Sequence, residues 1–253
     1  LVYPEAKIDN YLELYSQKYN SVEIDQWFWS LFDFNKIVLP KKEVVEEYNN
    51  SVPNDFKFII KVPNSITLTH FYKKDKSNNL IINPYFLDTE LFDEFLHSIE
   101  ALNNKIGMLI FQFEYLNKQK MPSQFLFFQK FEEFVKKIPQ NISYGIEIRN
   151  PNYLNRSYYE FLNKNNLSMV FLQGYYMPPI WETFNQFIPF IKNDVVIRLV
   201  GEDRKGIEVL SKDNWSTIIS NKDNEIIKIV DIIKYLINKE INIFLNVNNH
   251  YEG

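Results

Sequence analysis

The chain has 253 residues, 45% hydrophobic and 24% charged, with 22 Phe and 16 Tyr, a composition that argues against disorder and suits an α/β barrel, which at about 200–250 residues commonly forms one domain. Its formal net charge of -4 argues against a bulk grip on nucleic acid, which needs a basic face, while leaving open a nucleic-acid end held in a local basic pocket. The lack of cysteine excludes disulfides, thiolate nucleophiles, zinc ribbons and iron–sulfur clusters.

The start, Leu1-Val2-Tyr3-Pro4, has no basic region followed by an apolar run, and no stretch approaches the apolar length of a membrane span. Together with the missing cysteines, this fits a cytoplasmic protein.

Short apolar runs alternate along the chain with longer amphipathic ones, the pattern of repeated βα units. The spacing predicts a helix over 6–19, a strand over 21–25 and a helix after Leu39-Pro40, with proline at its start. A strand over 56–62 follows the turn Val52-Pro53-Asn54-Asp55. A helix over 88–102 carries apolar Leu91, Phe92, Phe95, Ile99 and Leu102, then come a strand over 108–113 and a helix over 122–138. The second half reads as strand 143–149, helix 158–163, strand 169–173 and a helix over 181–191 that Pro189 interrupts. Strand 195–200, an amphipathic helix over 225–238 and a last strand over 241–247 complete the series. A closed (β/α)8 barrel needs eight strands, and these segments supply seven. The expectation is therefore one TIM-type barrel domain over 1–253, with the first strand before Leu1 and the last helix beyond Gly253.

A strand buried on both faces should be nearly all apolar. These strands instead carry polar residues near their C-terminal ends, at alternating positions: Glu23 and Asp25 around Ile24, Lys61 between Ile60 and Val62, and Gln112 between Phe111 and Phe113. Further on, Glu147 and Arg149 flank Ile148, Gln173 closes its strand, Arg198 lies between Ile197 and Leu199, and Asn246 and Asn248 flank Val247. Strand side chains alternate faces, so these polar groups are expected to point inward at the strand C-termini, where barrels of this type carry their sites. An interior ion-pair network that merely fills space is the alternative, but its desolvation cost is high.

At these residues the chain resembles the YecE-like family, also called domain of unknown function 72. Tyr3-Pro4, Val22-Glu23-Ile24, Phe58 to Pro63 with Thr69-His70, Phe111-Gln112-Phe113, Glu147-Ile148-Arg149, Ile197-Arg198-Leu199 and Asn248-Asn249-His250-Tyr251-Glu252-Gly253 follow that family's motifs in order. The resemblance implies a TIM-type barrel and no particular activity. The chain departs from the family pattern in three places. An opening Gly-Thr-Ser-Gly-Trp strand is absent, the proline after Gln112 is replaced by Phe113-Glu114, and Val200 stands where a histidine precedes Gly201.

Glu23 and Glu147 are the expected acid/base carboxylates, with His70 as a proton carrier. Paired carboxylates also suit glycoside hydrolysis. Lys61, Arg149 and Arg198 suit an anion, the arginines as bidentate forks. Gln112, Asn246, Asn248, Asn249 and His250 would orient hydroxyls or a base edge. The expected function is a hydrolase or lyase acting on a small anionic or sugar-like molecule, and the alternative is a non-catalytic barrel that binds a metabolite or a nucleic-acid end. No cofactor is predicted, since glycine-rich phosphate loops and His-x-x-x-His pairs are absent. An oxygen-rich set of Glu23, Asp25 and Glu147 is the weaker alternative, as a Mg²⁺ or Mn²⁺ site. Trp27, Phe28 and Trp29 after the Glu23 strand, and Tyr175, Tyr176 and Trp181 after Gln173, are expected either to pack the rim or to stack on a ligand ring.

Overall fold

The computed structural model describes residues 10–32, 36–72, 80–201, 204–212 and 218–248. It divides into two compact units, Leu1–Tyr144 and Gly145–Gly253.

In the first unit β1 (Ser21–Ile24) pairs in parallel with β4 (Lys57–Lys61), and β4 pairs in parallel with β5 (Ile106–Gln112). Between β1 and β4 lie a small antiparallel hairpin, β2 (Leu31–Phe32) with β3 (Lys36–Ile37), and helix α2 (Lys42–Asn50). The unit also holds α1 (Tyr11–Ser16), α3 (Asn64–Thr67), α4 (Thr89–Ser98) and α5 (Gln124–Val135). Side-chain caps start the helices cleanly. Asn10 accepts from the N–H groups of Leu12 and Glu13, Asp88 from Leu91 and Ser123 from Leu126, each satisfying amides that the first turn leaves open.

The core of this unit is aromatic. Phe111 on β5 meets Phe92 of α4 and Phe131 and Phe134 of α5, with ring centroids 5.2–5.6 Å apart and two of the three pairs edge-on. That arrangement suits the ring quadrupoles. Burial keeps the proton on the phenol of Tyr144, raising its pKa, and Asp93 adds to the effect. The hydroxyl donates to the Pro139 carbonyl at 2.8 Å.

In the second unit β6 (Tyr144–Glu147, whose first residue belongs to the first unit), β7 (Ser168–Gly174), β8 (Val195–Gly201) and β9 (Ile243–Val247) pair in that order, all parallel. Helices α6 (Arg156–Lys164), α7 (Ile180–Phe187), α8 (Arg204–Ser211) and α9 (Asp223–Ile237) lie between or beside them. The helix predicted over 181–191 ends at Phe187 and continues as a 3-10 turn, Ile188–Phe190, where Pro189 removes an amide donor.

The α/β class and the sequential parallel strands agree with the sequence. The hairpin β2–β3, the short α3 and helix α8 were not anticipated. Of the helix expected over 6–19, residues 10–19 are described, and the helix covers Tyr11–Ser16, ending at Gln17. No helix among the described residues is long and apolar enough to cross a membrane.

Candidate functional site

In the first unit the register Glu23↔Ile59 and Lys61↔Ile110 puts Glu23, Lys61 and Gln112 on one face of the sheet. The Lys61 ammonium donates to Asp25 Oδ1 at 2.9 Å and lies 3.3 Å from Glu23 Oε1. Lys61 and Gln112 are buried, whereas the Asp25 side chain is 58% exposed. The ring of Phe28 covers the ammonium from 5.7 Å, a cation–π contact.

His70 follows β4 and is held by a short antiparallel bridge to Ile82. Its Nδ1 lies 2.9 Å from the Thr69 hydroxyl. Desolvation lowers its pKa from the ordinary histidine value, the Lys120 cation lowers it further, and Glu114 opposes both. Lys120 and Glu114 are themselves paired at 2.6 Å. Glu114 is the residue that replaces the family's proline, and neither Glu114 nor Lys120 was singled out in the sequence. The nearest signal was that departure itself.

In the second unit Glu147 ends β6 fully buried. Its Oε2 accepts from Nη1 of Arg198, and its Oε1 accepts from Nε of Arg149 at 3.0 Å. Both guanidiniums favour ionised Glu147. The Arg149 guanidinium carbon lies 4.6 Å from the centroid of the Tyr175 ring. No partner meets the terminal Nη groups of Arg149 among the described residues, and its side chain is 27% exposed.

Backbone geometry fixes Tyr175. Gly174 has φ +118°, and a Cβ there would stand 2.2 Å from the Gly201 carbonyl oxygen. Tyr175 itself is left-handed at φ +52°, and its N–H donates to that same oxygen at 3.1 Å. Beneath the trio, Tyr158 is fully buried and its hydroxyl donates to the Ile146 carbonyl at 3.3 Å. Burial raises its pKa, and the Glu147 charge adds to the shift.

Asn246 is the register partner of Arg198. Asn248 is exposed, and its N–H donates to the Leu199 carbonyl at 2.8 Å. Asn249 and His250 lie outside the described residues.

One inward expectation needs correction. Gln173 shares parity with Phe171, whose ring packs on Phe184 of α7, so it faces the helices. Its amide donates to Glu225 on α9 at 2.8 Å, and its carbonyl oxygen accepts the Ile180 N–H at 3.0 Å, satisfying the first turn of α7. Strand parity is ambiguous where both faces are apolar.

The aromatic loops divide in two. Trp27 and Phe28 are buried, whereas Trp29 and Tyr176 are exposed. Trp181 stacks under the Lys228 ammonium, 4.3 Å from its ring centroid. Among the described residues no group of three or more His, Asp or Glu side chains could hold a metal ion. At Glu23 and Asp25 the Lys61 ammonium already occupies the position between the carboxylates.

The whole chain, residues 1–253, matches the family described as "Protein of unknown function DUF72". A solved DUF72 family protein from Enterococcus faecalis V583 is 19% identical over 94% of this chain and 86% of its own, with a TM-score of 0.64. A DUF72 family protein from Thermotoga maritima MSB8 is 18% identical over 100% of this chain and 88% of its own, also with a TM-score of 0.64. At these identities the likeness is one of fold. No curated protein matches the chain. The resemblance read from the sequence motifs is thus borne out: the chain belongs to the DUF72 family of proteins of unknown function.

Proposed function

We propose that the chain binds a small carboxylated or phosphorylated molecule through Arg149, with Glu147 and Tyr175 fixing that guanidinium. The observation that carries this reading is a guanidinium whose Nε and one face are already committed, to Glu147 and to the Tyr175 ring, while its two Nη groups meet no partner among the described residues. A planar fork held in advance loses little freedom on meeting a carboxylate or phosphate. The sequential parallel strand order inside each unit supports TIM-type (β/α)8 closure as the framework, a fold that places sites at strand C-termini.

Hydrolase or lyase chemistry is the second reading. What favours it is His70, whose lowered pKa keeps the imidazole neutral and able to accept a proton near neutrality. Glu147 is less suited to donating a proton, because two guanidiniums favour its ionised form.

A thermal-shift series with inorganic phosphate, citrate, glycerol 3-phosphate and adenosine monophosphate tests the proposal. A true ligand at a hundredfold excess over its dissociation constant adds about 2.7 kcal/mol to wild-type stability. That gain disappears in Arg149→Ala. Equal stabilisation of both proteins, or none of the wild type, refutes the assignment.

A further inference from the structure

The turn after β1 presents one exposed indole from a firmly held backbone. The Phe28 N–H closes the turn on the Asp25 carbonyl at 3.0 Å, and the Phe28 carbonyl accepts the Asn64 N–H at 2.7 Å. Asn64 Oδ1 accepts from the N–H of Ser30 at 3.0 Å and of Leu31 at 3.2 Å, and the hydroxyls of Ser30 and Ser65 meet at 2.9 Å. Phe28 and Ser30 are buried, yet Trp29 between them is 58% exposed.

Its ring lies 6.1 Å from that of Tyr72, which is 47% exposed, and meets Phe28 edge-on at 5.2 Å. Phe28 in turn covers the Lys61 ammonium, which binds Asp25. A row of rings, two of them in water, therefore leads to an exposed carboxylate. Leaving two large rings in solvent forgoes the gain from burying them, while the loop's hydrogen bonds prepay the ordering that a ligand would otherwise require.

We propose that Trp29 and Tyr72 form a stacking platform for a neutral sugar ring, with the Asp25 carboxylate accepting one of its hydroxyls. A pyranose presents a face of C–H groups to an aromatic ring and hydroxyls at its rim, which matches two rings beside a carboxylate. The exposed Asp25 carboxylate disfavours a phosphorylated ligand here. This platform lies in the first unit and stands whether or not Arg149 holds an anion.

Saturation-transfer NMR on the full chain tests it, with glucose, mannose, N-acetylglucosamine, cellobiose and maltotetraose at millimolar concentration. At least one sugar should show saturable transfer, strongest at its ring C–H protons. Trp29→Ala should weaken that binding about tenfold, the effect of losing one ring contact. Tyr72→Ala should weaken it as well, and Tyr176→Ala, which removes a highly exposed ring in the second unit, should leave it unchanged. No transfer to any of these sugars, or equal transfer in Trp29→Ala and Tyr72→Ala, overturns the proposal. Stronger transfer to glucose 6-phosphate than to glucose overturns the neutral-ligand assignment.

Discussion

Glu147 is fully buried, and a buried carboxylate persists only with counter-charges and hydrogen bonds around it. Arg149 and Arg198 supply both. Glu147→Gln should therefore cost about 3–5 kcal/mol, the scale for breaking a buried ion pair, read as a fall in the urea midpoint. His70 sets a pH dependence of opposite origin. Its folded pKa lies below the ordinary value of 6.5, so the unfolded chain binds more protons over the interval between the two. Stability is full above that ordinary value and declines as pH falls through it. His70→Gln should flatten this decline, checked by urea midpoints across the range. Tyr159 is buried and stacked on Phe187 at 3.9 Å, and its hydroxyl has no hydrogen-bond partner among the described residues. Tyr159→Phe should raise stability by about 1 kcal/mol, seen as a higher Tm, because it removes a desolvated group and keeps the ring contact.

At the scale of elements, the junction after β7 is set by one close approach. The Gly174 Cα sits where a Cβ would overlap the Gly201 carbonyl, and its φ is one that side chains rarely adopt. Gly174→Ala should cost about 1–3 kcal/mol from the strained backbone and loosen the Tyr175 ring from Arg149. Near-ultraviolet circular dichroism would read the second effect. The strands themselves were legible in the sequence because four- to seven-residue apolar runs bounded by turn residues have few other readings. Helix ends were legible where a cap was present, as at Asp88, which caps Thr89–Ser98. The hairpin Leu31–Phe32 with Lys36–Ile37 escaped notice because two-residue strands have no periodicity to read. Helix Arg204–Ser211 escaped for want of a broad apolar stripe: Ile207 and Ser211 are buried, but Val209 and Leu210 are exposed. Gln173 shows the limit of parity, since alternation says which residues share a face but not which face is inside.

Across the whole molecule, the charged residues at strand ends gather in two clusters of mixed sign. The sequence named them as a set, and the structure groups Glu23, Asp25 and Lys61 in one unit and Glu147, Arg149 and Arg198 in the other. Their pairing was not readable in advance, because ion pairing depends on which rungs are neighbours. Arg198 is in register with Asn246, and Lys61 with Ile110. The central feature is the Arg149 guanidinium, held by Glu147 and Tyr175 with its Nη groups unmet among the described residues. Calorimetric titration with inorganic phosphate and citrate examines it most directly, on wild type, Arg149→Lys and Arg149→Ala at two salt concentrations. Saturable binding in the wild type should weaken as salt rises, be weaker in Arg149→Lys, which lacks the planar fork, and be lost in Arg149→Ala. Binding to Arg149→Ala as tight as to the wild type would contradict it.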